Sequence, residues 1–556
     1  MTEKLFKNKW VVWFFFFVIT LLLYFPSRHA GFVTDFIEYY NTAQNSTFLH
    51  FVFSNTAIGC NNNFWFITHC FLWTLFKWFP INSLGYYVTS SVLHSLCALL
   101  LMQFILCFKQ YSTQNLDAIS FIAAFIFLVA PIQTETMVWR VAQHYFIALS
   151  FQLTIFILIL KYADKENKKY YAFALLLYFL SLFTLEYFFV TPIIVGLLFW
   201  VDSNFSLKQK SLLNSVYRTS PFILLLGIYF LSFKIVYGVW IAHYGANIHS
   251  SIFAPMAIGN WLKMPIKMIG FQYWQPEIYF KCLQFIEKNW WLGLASGIIV
   301  TILVWLFKTE RRIIISWLLI FALTLFPTVS LWLNYITWFE NDRHIYIASA
   351  FFFSILVFVG FKMLKKYFWI FVIFYVLLLG STTFYLNTLW GKSAEITNHL
   401  ATTLKGNTTQ PIILLNTPDS YRGAQMFRTY SAESSVMWQG NILYHNKINN
   451  QCFDAIRYIC SEKDKPFKVK QISTDTLLIT LELHGGWINH VFENSSNKNS
   501  FFKVIYSPNK SWEYKVIITD KKVNPLIYLF NGKDWEEIKL RNVDGIKYGK
   551  RRTKSL

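Results

Sequence analysis

Long apolar runs separated by short polar stretches fill the chain as far as Leu386. A helix needs about 20 apolar residues to cross a bilayer, with somewhat shorter ones tolerated. That criterion predicts spans at 10–26, 86–108, 119–138, 144–162, 171–185, 187–201, 221–237, 290–307, 313–331, 345–361 and 367–386, about eleven in all. The stretch 63–79 is also apolar, but Lys77 and the following Pro80 suit a helix lying in the interface, and 245–274, with Pro255 and Pro265, reads the same way. After Leu386 the pattern shifts to turns and alternating strands, at 411–416, 473–483, 503–507 and 512–519. Asn531-Gly532, between 526–530 and 535–538, is a hairpin signal, and helices are expected at 423–437 and 449–459. The expected architecture is a polytopic α-helical membrane domain (1–390), a soluble α+β domain (391–545) and a basic tail (546–556).

Composition agrees, since 556 residues with 55% hydrophobic, 20% aromatic and only 14% charged side chains are too apolar for an ordinary soluble protein. The net charge of +21 does not point to nucleic acid, because the Lys and Arg fall in short loops between apolar runs and in the last third. Lys4, Lys7 and Lys9, Lys109, and the clusters at 161–169, 208–218, 308–312 and 362–366 occupy alternate loops. The positive-inside rule makes those loops cytoplasmic and, with an odd number of spans, puts the C-terminal domain on the periplasmic side of an inner membrane. The first run has no small-residue cleavage site after Phe25 and reads as a retained anchor. No Cys pair has CxxC spacing, and only Cys452 and Cys460 could form a local disulfide.

The outward loops collect the ionisable residues. Asp35 and Glu38, just past the first span, share a face of a short helix among Phe32, Phe36 and Tyr39. One carboxylate there suits a general base for an acceptor hydroxyl, with the other orienting it or holding a cation; a solvated loop helix with no task is the alternative. Glu135 and Arg140 end the third span as a local ion pair or as part of a site, and Glu186 interrupts an apolar stretch as a hairpin cap or a site residue. Arg343 and His344 open the tenth span beside Glu340 and Asp342, where an Arg suits bidentate contact with a phosphate or snorkels beside its acidic neighbours. His94 is expected to be a packing residue, and His243 and His249 to line a substrate groove without metal-ligand spacing.

In order, these segments resemble the membrane-embedded GT-C glycosyltransferases, especially the protein O-mannosyltransferase-like branches. The loop with Asp35 matches the family's acidic motif, and NFWFITHCFLWTLFKWFPINSLGYYVTSSVLHSLCALLL resembles the following segment, with His94 at a family His. PIQTETMVW places Glu135, LSLFTLEYFFVTP places Glu186, and NDRHIYIAS places Arg343 and Tyr346 on family positions. Phe36 follows Asp35, so Glu38 is not a family match; Leu185 stands where the family has Lys, and Arg140 precedes the family's basic position near Gln143. There are no tetratricopeptide repeats, and the tail opening with ILLNTPDSYRGAQMFR suggests a bacterial relative with its own acceptor module. The resemblance implies transfer of a sugar from a polyprenyl-phosphate donor to an acceptor hydroxyl of a protein or glycan at the outer membrane face. Asp35 would be the base, Arg343 the phosphate anchor, and Glu135, Glu186 and His94 supports. Oligosaccharide transfer, a lipid-linked-sugar transporter and a membrane assembly protein are the competing expectations. No cofactor is implied beyond the lipid-linked sugar, participation of a divalent metal is left open, and the partners expected are the lipid donor, its acceptor and membrane lipids.

Overall fold

A computed structural model describes residues 8–33, 35–53, 64–112, 114–203, 205–206, 208–240, 254–329, 342–404, 409–427, 433–448, 451–482, 488–489, 501–507, 512–520 and 523–540. The chain divides into two compact units, residues 1–32 with 38–391, and residues 33–37 with 392–556.

The first unit is helical, and four of its described helices begin at a side-chain cap. Asn8, Asn82, Asn115 and Asn167 each accept a backbone N–H, from Trp10, Leu84, Ala118 and Lys169, at the starts of helices Lys9–Tyr24, Ser83–Leu106, Leu116–Val129 and Lys168–Ser181. Each cap satisfies a donor that the helix itself leaves orphaned, which matters most in an apolar solvent. Among the described residues, six helical stretches are long and apolar enough to cross a membrane, or eight if each of two bent pairs counts as one span. The chain is therefore a helical membrane protein, but the expected eleven spans are not reached. The predicted spans 171–185 and 187–201 are the 14-residue helix Lys168–Ser181 and the 12-residue helix Thr191–Asp202. At 1.5 Å per residue these are only about 21 and 18 Å long, against roughly 30 Å of hydrocarbon. The span 290–307 contains the 12-residue helix Ala295–Leu306, in a segment turned by 97° from Glu277–Lys288. The last two predicted spans are the separate helices Tyr346–Leu364 and Phe368–Thr403, joined by the turn Lys365–Tyr367 within the apolar stretch Asp342–Thr403. The span 119–138 is broken, Leu116–Val129 and Pro131–Val138 meeting at 55°, where Pro131 removes a backbone donor.

Among the described residues the second unit contains three four-stranded sheets, built from β1 (Ile412–Leu414), β2 (Thr417–Tyr421), β3 (Ala424–Gln425), β4 (Cys452–Asp454), β5 (Arg457–Cys460), β6 (Lys465–Ser473), β7 (Thr476–Glu482), β8 (Ile488–Asn489), β9 (Phe502–Tyr506), β10 (Glu513–Ile518), β11 (Leu526–Phe530) and β12 (Trp535–Glu537). In the order β12-β11-β1-β4, β1 lies parallel to both β11 and β4 and is buried at every residue, as an interior parallel strand requires. The sheet β6-β7-β10-β9 is antiparallel, and β7 alternates buried and half-buried positions, the period of a strand with one wet face. The Asn531-Gly532 turn joins β11 to β12, with Asn531 accepting the N–H groups of Lys533 and Asp534 at 3.0 Å. The helices expected at 423–437 and 449–459 are corrected. Among the described residues there, only Ser435–Tyr444 is helical, and β3, β4 and β5 are short strands, too brief to show a period. Cys452 and Cys460 are buried free thiols, and the basic tail lies outside the described residues.

Arg140 is also corrected. It makes no local pair with Glu135; its guanidinium, 1% exposed, donates to the carbonyls of Ala30 (3.0 Å), Met137 (3.1 Å), Ser27 (3.1 Å) and Arg28 (3.4 Å). This clamp fixes the turn that follows the first span. Gly31 makes the approach possible, since it sits at φ +99° and a Cβ there would lie 2.0 Å from the Val138 carbonyl oxygen. Gly31→Ala is expected to cost about 2–3 kcal/mol through strain and displacement, read as a lower melting temperature of the detergent-purified protein. An unchanged melting curve would show that the clamp does not constrain this turn.

Candidate functional site

Helix Tyr346–Leu364 opens with a four-residue turn, Asp342–Ile345, that carries charge into a buried setting. Arg343 donates from its guanidinium to Glu135 Oε1 at 2.7 Å and from its backbone N–H to Glu135 Oε2 at 3.0 Å. The two side chains are 12% and 8% exposed. The guanidinium also lies 4.1 Å over the Trp139 ring, so one face of the cation is covered by an aromatic plane. The neighbouring Asp342 pairs with Lys267 at 2.6 Å and accepts the Tyr273 hydroxyl. Lys267 is fully buried and Asp342 nearly so. Taking each ion out of water costs several kcal/mol, which only close pairing with further hydrogen bonds offsets. Two such pairs meet here at adjacent residues, Asp342 and Arg343.

Around this turn the other predicted residues take distinct positions. The Tyr145 hydroxyl meets His344 Nδ1 at 3.1 Å, and the Tyr187 hydroxyl donates to the His344 carbonyl at 2.6 Å. Glu186 accepts the Trp65 indole N–H at 3.1 Å, and the Trp65 ring lies 5.8 Å from that of His144, itself next to Tyr145. His94 is fully buried, with Nε2 3.2 Å from the Leu128 carbonyl and Nδ1 2.8 Å from the Tyr346 hydroxyl. Because a carbonyl only accepts, Nε2 donates to Leu128, and both ring nitrogens of His94 are engaged inside the bundle. Asp35 begins helix Asp35–Gln44 and falls in the second unit, whereas Glu38, one turn on, falls in the first. His243 and His249 lie outside the described residues. Among the described residues no group of three or more His, Cys, Asp or Glu side chains is arranged to hold a metal.

Several site residues escaped the sequence reasoning. Asn260, Lys263 and Lys267 are fully buried on helix Pro255–Met268, with Lys263 bonded to Glu287 at 2.8 Å and Asn260 to the Val329 carbonyl at 3.1 Å. Their spacing of three and four residues, which puts them on one helix face, was the available signal. Trp65, Trp139 and Tyr145 gave none, aromatic residues being abundant throughout the chain. In the turn from 133 to 143, Gln133 Oε1, Thr134 Oγ1, Thr136 Oγ1, Trp139 Nε1 and Gln143 Oε1 are buried with no hydrogen-bond partner. Each such atom costs about 1–3 kcal/mol if nothing satisfies it.

Loss of water around Glu186 pushes its carboxyl from the ordinary 4.5 up to about 7, against the smaller opposing effect of its hydrogen bonds. A carboxyl whose pKa is raised on folding contributes stability that is fully present below about 4.5 and lost as pH rises through about 7. The melting temperature is therefore expected to fall between pH 5 and 8, and Glu186→Gln, which cannot ionise, should remove that part of the decline. Parallel pH profiles for the two proteins would contradict the assignment. No protein-family model matches this sequence, and no curated protein matches it.

Proposed function

We propose that this protein is an integral-membrane glycosyltransferase of the GT-C type that moves a sugar from a polyprenyl-phosphate donor to an acceptor hydroxyl, most simply Ser or Thr of a secreted protein, at the outer face of the cytoplasmic membrane. The observation that carries this reading is the turn Asp342–Ile345, where two buried cation–carboxylate pairs, Arg343–Glu135 and Lys267–Asp342, meet at adjacent residues. A lipid phosphate is a good leaving group already, so the enzyme's task is to hold it, stabilise the charge that grows on it and keep water out. Arg343 offers a planar fork suited to phosphate oxygens. Glu135 orients that fork through two hydrogen bonds, and Tyr145 and Tyr187 hold His344 on the same turn. Glu186 and His94 support the surrounding helices. The acceptor half of the reaction is assigned to Asp35, as general base, by the resemblance to the family. The orientation with the C-terminal unit in the periplasm, and a role for that unit in acceptor choice, belong to the same proposal.

Two substitutions separate the halves, measured on purified, folded variants with radiolabelled polyprenyl-phosphate sugars. Arg343→Ala should weaken donor binding by at least about tenfold and lower turnover as well, with Arg343→Lys restoring only part, because a point charge replaces a fork. Unchanged donor affinity in Arg343→Ala would remove the phosphate assignment. Asp35→Asn should keep donor binding while turnover drops by roughly two to four decades. Normal turnover in that variant would end the general-base assignment.

A further inference from the structure

The span that carries Glu135 is bent by 55° between Leu116–Val129 and Pro131–Val138, and irregular backbone at membrane depth is tolerated only where it is buried in protein or lines a cavity. The turn beyond this break holds Gln133, Thr134, Thr136, Trp139 and Gln143, each at most 5% exposed and each with a polar side-chain atom lacking a partner. The charged side chains here are engaged, Glu135 by Arg343 and Arg140 by backbone carbonyls. The unpartnered groups are therefore uncharged, and of mixed kind. The two amide oxygens accept, the indole N–H donates and the hydroxyls do either. Such a set, holding both donors and acceptors, complements a ring of hydroxyl groups, each of which both donates and accepts. Arg343 lies 4.1 Å over the Trp139 ring, so a phosphate gripped by that guanidinium would bring its attached sugar against this turn.

We infer that the turn from Gln133 to Gln143 is the sugar-recognising wall of the donor site, with the Trp139 indole N–H and the Thr136 hydroxyl as specificity contacts for a neutral hexose. The inference rests on the glycosyltransferase reading above, and it assigns the sugar, where that reading assigned the phosphate. Its test compares binding of undecaprenyl phosphate with that of its glucosyl, galactosyl and mannosyl forms, using the full chain purified in detergent. The wild type is expected to bind at least one hexose form more tightly than the bare lipid phosphate. Trp139→Phe, which keeps an aromatic face under Arg343 but removes the N–H, should weaken that hexose lipid by about tenfold while leaving the bare lipid unchanged. Thr136→Val, nearly the same shape without the hydroxyl, should do likewise and keeps the test alive if Trp139→Phe fails to fold. The inference is overturned if the wild type gains nothing from any of the three sugars, or if the folded variants bind the hexose lipid as the wild type does. It is equally overturned if both lipids weaken together. Wild-type protein that binds neither lipid would refute the proposed function itself, and this inference with it, whereas intact phosphate-lipid binding without sugar discrimination would refute the inference alone.

Discussion

A positive charge inside a helical bundle has to be met by acceptors, because neither lipid nor packed apolar side chains can replace the water it has lost. The first unit solves this problem in two ways. Arg140 is surrounded by carbonyl oxygens from the turn after the first span and from its own neighbourhood, so its charge is spent on holding backbone. Arg343 and Lys267 are met by carboxylates. A carbonyl dipole cannot leave its place without unravelling a turn, but a carboxylate on a side chain can yield to another anion. The distinction separates an Arg that builds the fold from one suited to exchange partners, and the proposed chemistry depends on it.

Much of the fold was legible because long apolar helices and tight hairpins leave strong marks. The apolar runs and the Asn-Gly hairpin carried through into structure. What failed was length. Apolar composition does not distinguish a run that crosses a bilayer from a 12- or 14-residue helix that stops short, because both are simply hydrophobic. In the second unit, β4 and β5 are strands of three and four residues, nearly all buried, and a run that short has no period by which to tell strand from helix.

The site was legible in its members and not in its pairings. Glu135, Glu186, Arg343 and His344 stand out as ionisable residues at the ends of apolar segments. Sequence proximity suggested Glu135 with Arg140 and Arg343 with its own acidic neighbours, but the bundle pairs residues some two hundred positions apart. Lys267 was hidden because its stretch reads as interfacial, where a Lys ordinarily reaches for water; here the helix turns that face inward. Asp35 illustrates a different limit, since it and Glu38 share a helix yet fall in different compact units, a division that no local pattern announces.

The two short helices Lys168–Ser181 and Thr191–Asp202, with Glu186 between them, leave a deficit of about 10 Å against an average hydrocarbon core. Hydrophobic mismatch of that size is relieved by thinning the surrounding bilayer or by leaving the turn below the headgroups. In either case the water and headgroups near Glu186 depend on how thick the host membrane is. Lipid chain length thereby becomes a variable that acts on an ionisable residue of the bundle without touching it.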